Sequence, residues 1–139
     1  MTAGNDINLS TTFRNLTSGD ITFNATNDVN IGPSTILAQV GTRDGTMAVN
    51  AGRDLNVVGG GGTNDRSQIG FNNALVDSDI DLTVGRDINV FAGGNSNSIA
   101  IIGHGFTAGT YSGDIIINSV GRDVNITGDT GAAGSTKFA

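Results

Sequence analysis

Cysteine, tryptophan and glutamate are absent from this 139-residue chain, and proline and lysine each occur once. Without cysteine it has neither disulfides nor thiolate metal sites. Without glutamate, and with a single lysine, it is poor in surface helix formers. An ordinary helical or α/β enzyme does not fit that composition. Charged residues make up 14% of the chain and the net charge is −6, so the basic footprint of a nucleic-acid-binding protein is missing. No run approaches the ~20 apolar residues of a membrane helix. The start, Met1-Thr2-Ala3-Gly4-Asn5-Asp6, shows neither the basic region nor the apolar run of a secretory leader. What abounds is turn chemistry, with 22 glycines, sixteen asparagines and thirteen aspartates.

The chain repeats. A first phrase reads Gly52-Arg53-Asp54-Leu55-Asn56-Val57, Gly85-Arg86-Asp87-Ile88-Asn89-Val90 and Gly121-Arg122-Asp123-Val124-Asn125-Ile126, with weaker copies at Gly4–Leu9 and Thr26–Ile31. Its aspartates, Asp6, Asp28, Asp54, Asp87 and Asp123, are spaced by 22, 26, 33 and 36 residues. A second phrase precedes it at Asp20–Ala25, Thr46–Ala51, Asp79–Val84 and Asp114–Val120. The last of these copies carries one extra residue, the mark of a β-bulge. A third phrase is Ala38-Gln39-Val40-Gly41, Ser67-Gln68-Ile69-Gly70 and Ala100-Ile101-Ile102-Gly103, with Lys137-Phe138-Ala139 as a truncated fourth copy.

Each phrase alternates apolar and polar residues with period 2, which describes a half-buried strand. Gly-Arg-Asp between strands is a corner: glycine permits the turn and aspartate caps it. Three short strands per repeat, without helix, predict an all-β right-handed parallel β-helix (a β-solenoid) of about five coils. A Greek-key sandwich also suits many short strands, but it gives no reason for one phrase to return five times. The predicted inward positions are Ile21, Phe23, Met47, Val49, Leu55, Val57, Ile80, Leu82, Ile88, Val90, Ile115, Ile117, Val124 and Ile126. Residues 59–66, 71–78 and 104–112 read as variable loops that leave the coil outline.

Candidate chemistry follows from the repetition. Asn8, Asn30, Asn56, Asn89 and Asn125 hold one equivalent position, where stacked amides can donate and accept along a structural ladder. The corner residues Gly52, Arg53, Asp54, Gly85, Arg86, Asp87, Gly121, Arg122 and Asp123 predict an arginine column beside an aspartate column at a solvated corner. Asp77, Asp79 and Asp81 are the carboxylates to consider for glycoside cleavage, but alternation puts Asp79 and Asp81 on an exposed strand face. Gly61-Gly62-Thr63-Asn64-Asp65 approaches a glycine-aspartate calcium turn without meeting its pattern. His104, the only histidine, has no second histidine to form a dyad or metal cluster and reads as a corner residue. No catalytic, cofactor or metal site is expected.

The Ser-Gly-Asp-Ile strands, the Gly-Arg-Asp-Ile-Asn-Val strands and the Gln-Ile-Gly or Ile-Ile-Gly-His-Gly phrase together resemble the repeat region of filamentous-haemagglutinin-like exoproteins of two-partner secretion. The resemblance spans Gly4 to Ala139. It implies a right-handed parallel β-helix, a bacterial cell-surface or extracellular location, and a Gram-negative source. It also implies that residues 1–139 are one repeat segment of a longer array. The expected role is a stalk in an adhesin, without catalysis. The alternatives are a module whose loops contact a host-surface glycan or protein, and a polysaccharide-cleaving enzyme. No nucleic-acid partner and no membrane insertion are expected, and the isolated segment is expected to associate end to end.

Overall fold

The computed structural model describes residues 1–73, 75–105 and 108–128. In chain order its strands are β1 (Thr2–Ala3), β2 (Ile7–Leu9), β3 (Phe13–Ser18), β4 (Ile21–Ala25), β5 (Val29–Ile31), β6 (Leu37–Ala51), β7 (Leu55–Val58), β8 (Arg66–Ile69), β9 (Leu75–Val84), β10 (Ile88–Phe91), β11 (Ile99–Ile102), β12 (Thr110–Ser112), β13 (Ile115–Val120) and β14 (Val124–Thr127). Among the described residues there is no helix, and every strand pairing is parallel.

The first phrase builds a five-stranded sheet in the order β14-β10-β7-β5-β2. Its register sets Asn8, Asn30, Asn56, Asn89 and Asn125 side by side. The other two phrases share a nine-stranded sheet. There Ile21, Met47, Ile80 and Ile115 align, as do Ala38, Ser67 and Ala100. The repeat unit therefore lies against its copy, phrase on phrase, whatever the length of the connection. Two strands absent from the phrase comparison complete the first repeat: β1 pairs with β4, and β3 pairs with β6. The extra residue of the last second phrase shifts the β13 register between Ile117 and Ser119, so the bulge falls at Asn118. Lys137-Phe138-Ala139 lies outside the described residues.

Alternation explains the core. Phe23, Met47, Val49, Leu55, Val57, Ile80 and Leu82 are fully buried, and side chains from both sheets join one apolar cluster. Burying each contributes about 1.5–3 kcal/mol relative to exposure. Four of the predicted inward residues depart from this: Ile115, Ile117, Val124 and Ile126 are 45–48% exposed. They sit on β13 and β14, each paired on one side only among the described residues, so no further strand among those residues covers them. An apolar hollow of about 240 Å³ opens there, lined by Leu82, Ile88, Val90 and Ile102 together with those four.

The strands are not uniformly short. β6 runs for 15 residues and joins the third phrase of one repeat to the second phrase of the next, because only Thr42-Arg43-Asp44-Gly45 separates them. Gly45, at φ +115°, takes the bend in a conformation that side chains disfavour.

The loops also depart from expectation. Residues 75–78 belong to β9, with Val76 and Ser78 buried, and residues 110–112 form β12 beside them. The turn at 59–65 stacks on the turn at 92–98. Asn64 N–H donates to the Ser96 carbonyl at 3.0 Å, Asn97 Nδ2 to Asn64 Oδ1 at 3.1 Å, and Ser98 Oγ to the Gly60 carbonyl. These connections differ in sequence, but each still satisfies its polar groups against its neighbour, as buried backbone requires.

Candidate functional site

The repeated asparagines form a continuous amide ladder. Asn30 Nδ2 donates to Asn8 Oδ1 at 2.8 Å, Asn56 to Asn30 at 2.7 Å, Asn89 to Asn56 at 2.9 Å and Asn125 to Asn89 at 3.0 Å. All four bonds point the same way: each amide nitrogen donates to the repeat before it. A shorter ladder, not evident from the phrases, links Asn50 Nδ2 to Asn24 Oδ1 at 2.8 Å. A buried amide pair lies in the third phrase, where Gln39 Nε2 donates to Gln68 Oε1 at 3.1 Å and Gln68 Nε2 to the Gly103 carbonyl at 2.8 Å.

The corner residues pair diagonally. Arg53 reaches Asp28 through Nε at 3.1 Å and Nη2 at 2.7 Å. Arg86 holds Asp54 and Arg122 holds Asp87 in the same forked geometry. Each arginine thus grips the aspartate of the preceding repeat. The same carboxylate also accepts the backbone N–H of the next aspartate, as Asp28 Oδ1 does from Asp54 at 3.1 Å. Adjacent columns of opposite charge match the expectation, but the corner is not fully solvated: Asp54 and Asp87 are buried beneath the arginines, and each pair is offset by one repeat. The offset arises because the guanidinium reaches back across the strand spacing.

The arginine hydrogen bond is the main cause that holds the Asp28, Asp54 and Asp87 carboxyls below the ordinary aspartate range, against the upward push of burial. The sign follows from linkage. These carboxylates stabilise the fold fully above the unfolded value near 3.8, and that contribution is lost as pH falls through their lower folded values. An Asp54→Asn variant should therefore show a shallower loss of stability below about pH 4 than the parent chain; denaturation midpoints from pH 5 to 2 read it, and parallel acid limbs would contradict it.

His104 closes another corner. Its Nε2–H donates to the Ser78 carbonyl at 2.6 Å, and Nδ1 accepts the Phe71 N–H at 3.1 Å. Those two partners require the neutral ring. Burial pushes its pKa down, only partly opposed by the Ser78 carbonyl and Asp79. A depressed histidine stabilises the fold above its unfolded value near 6.5 and loses that contribution as pH falls towards the folded one. No other histidine shares the window. Melting temperature should thus decline as pH falls below about 6.5, and His104→Gln should abolish that slope. A slope of equal size in the variant would rule the corner out as its source.

The carboxylates considered for catalysis do not converge. Asp79 and Asp81 are half-buried rather than exposed, because the neighbouring strands crowd their sides. Asp79 Oδ1 accepts the Asp114 N–H at 2.8 Å. Asp77, in register with Asp44, accepts from Ser112 Oγ at 2.9 Å. Arg43, Asp44, Leu75, Val76, Asp77, Thr110 and Ser112 line an open groove of about 310 Å³, which offers charge of both signs and hydroxyls on a shallow surface. Asp65, in the glycine-rich turn, is 6% exposed and turns its Oδ2 inward to the Gly62 N–H at 2.5 Å. It caps its own turn. Among the described residues no three metal-ligating side chains gather, and no helix is long and apolar enough to cross a membrane.

In comparison with known proteins, no family model, curated sequence or solved structure matches the chain.

Proposed function

We propose that the chain is a structural stalk segment: a right-handed parallel β-helix within a large bacterial surface or secreted adhesin of the filamentous-haemagglutinin-like kind, without catalysis of its own. The observation that carries this reading is where the repeated polar side chains go. The asparagines and the arginine–aspartate pairs bond to their own counterparts one repeat away. Such contacts stiffen a stack; they do not converge on a ligand. Stacked repeats with neighbour-only contacts make extended rods, which suit holding distal binding parts away from a cell.

A second reading draws on the groove beside Arg43 and Asp77: a module that contacts a host glycan or protein through its longer connections. The two separate cleanly. A stalk gives no saturable binding on a glycan array and releases no reducing ends from polysaccharides. Tandem copies of the chain should lengthen in solution scattering by roughly 24 Å for every five repeats, at ~4.8 Å per strand spacing. Saturable glycan binding lost on Asp77→Ala would favour the module, and a globular tandem would overturn the rod.

A further inference from the structure

Resting on the stacked-repeat reading above, we infer that the uncovered face of the fifth repeat binds the first repeat of a second copy of this chain, head to tail and in the register of the inner repeats. The inner repeats share one bonding pattern. The N–H of the residue after each anchor aspartate donates to the aspartate carbonyl of the following repeat, at 2.9 Å for Ile7, Val29, Leu55 and Ile88 alike. The N–H at the arginine position donates backwards, from Asn27 to Asn5 at 3.2 Å and from Arg122 to Arg86 at 2.8 Å. The asparagine side chains also donate backwards.

This pattern leaves the two ends complementary. The first repeat presents the Asn5 N–H, the Asp6 carbonyl and Asn8 Nδ2. The fifth presents, at the same three places, the Arg122 carbonyl, the Val124 N–H and Asn125 Oδ1. A second copy set one repeat further on matches all three pairs. The apolar positions share register as well: Ile7 and Leu9 align with Val124 and Ile126. Ile7 is already buried and Leu9 half-buried, so the apolar area open at this junction lies on the fifth repeat, where Val124 and Ile126 are 45% and 48% exposed around the hollow. Two fifth repeats face to face would instead meet antiparallel, a geometry that does not continue the parallel register or the one-way asparagine ladder of the inner repeats. The ends therefore favour an open head-to-tail series over a closed dimer.

One contact of the inner pattern is missing at such a junction. The arginine position of the first repeat is Asn5, so Asp123 would meet no guanidinium. That makes the junction improvable. Sedimentation of the full 139-residue chain over a wide concentration range should show average mass rising past the dimer. Asn5→Arg should lower the half-association concentration about two- to fivefold, the scale of an exposed ion pair, and Asp123→Asn should cancel that gain. Ile126→Asp should raise it more than ~10-fold, since it places a charge in an apolar contact. Circular dichroism on every species separates fold from contact. A β-rich chain that stays monomeric, stops at a closed dimer or ignores Asn5→Arg overturns the interface and leaves the stacked-repeat reading standing. A chain without β structure overturns that reading itself.

Discussion

Replacing Gly85 with alanine should destabilise the chain by about 2–3 kcal/mol and lower its melting temperature by roughly 10 °C. The cause is a column of glycines at the Gly-Arg-Asp corner. A Cβ on Gly85 would lie 2.8 Å from the Gly52 carbonyl carbon and closer still to its oxygen; Gly52 faces Thr26 and Gly121 faces Gly85 in the same way. The obstacle is backbone, which cannot rotate aside as a side chain can. Moving it would also disturb Arg86 N–H, which donates to the Arg53 carbonyl at 2.8 Å. Gly61 supplies the control, because a Cβ there meets nothing within 4 Å, so Gly61→Ala should stay within about 0.5 kcal/mol. Urea denaturation of the two variants reads the contrast. Equal stabilities would mean that the corner gives way more easily than its close contacts imply.

Phe23→Ala should cost about 3–5 kcal/mol, whereas Ile117→Ala should cost about 1 kcal/mol or less. The two residues hold the same position in different repeats, in the row Phe23, Val49, Leu82, Ile117. Phe23 is fully buried and packs its ring against Phe13, with centroids 5.6 Å apart. Removing it leaves a cavity walled by strands that are held in register on both sides. Ile117 is 46% exposed on the last strand of its sheet, so its truncation loses little burial and creates no closed void. Denaturant midpoints measure both. If Ile117→Ala matched Phe23→Ala, the open face of the fifth repeat would be covered in solution.

The strands and their register were readable because identical phrases must pair with themselves to keep one apolar face inward. Asn56 lying beside Asn89 follows directly from Asp-Leu-Asn-Val and Asp-Ile-Asn-Val. What escaped was whatever did not look like its copy. Met1-Thr2-Ala3 and Thr12-Phe13-Arg14 match neither partner phrase, yet β1 and β3 pair in register, because backbone bonding needs only an extended segment at the right height. The arginine–aspartate columns were visible, but not their offset by one repeat, since reach is a property of side-chain length rather than of spacing. The loops misled for a related reason: Gly60 and Gly93 belong to different-looking connections whose turns nonetheless stack. The exposed isoleucines of β13 show the limit of alternation, which says which way a residue points and not whether anything lies beyond it.

The backward grip of each arginine on the previous aspartate also bears on how such a chain can change. A unit that carries a cation for the repeat behind it and a carboxylate for the repeat ahead holds half of each contact. Copying the unit of Arg53 or of Arg86 next to itself creates one new junction, and both halves of that junction are already present. Deleting one closes the gap with the same two halves. Length thus becomes a quantity that unequal recombination can alter in whole steps without inventing new side-chain chemistry. The repeats that carry Asn5 and Asn27 in place of the arginine hold only the carboxylate half of that contact, so copying either of them would add a corner without its ion pair.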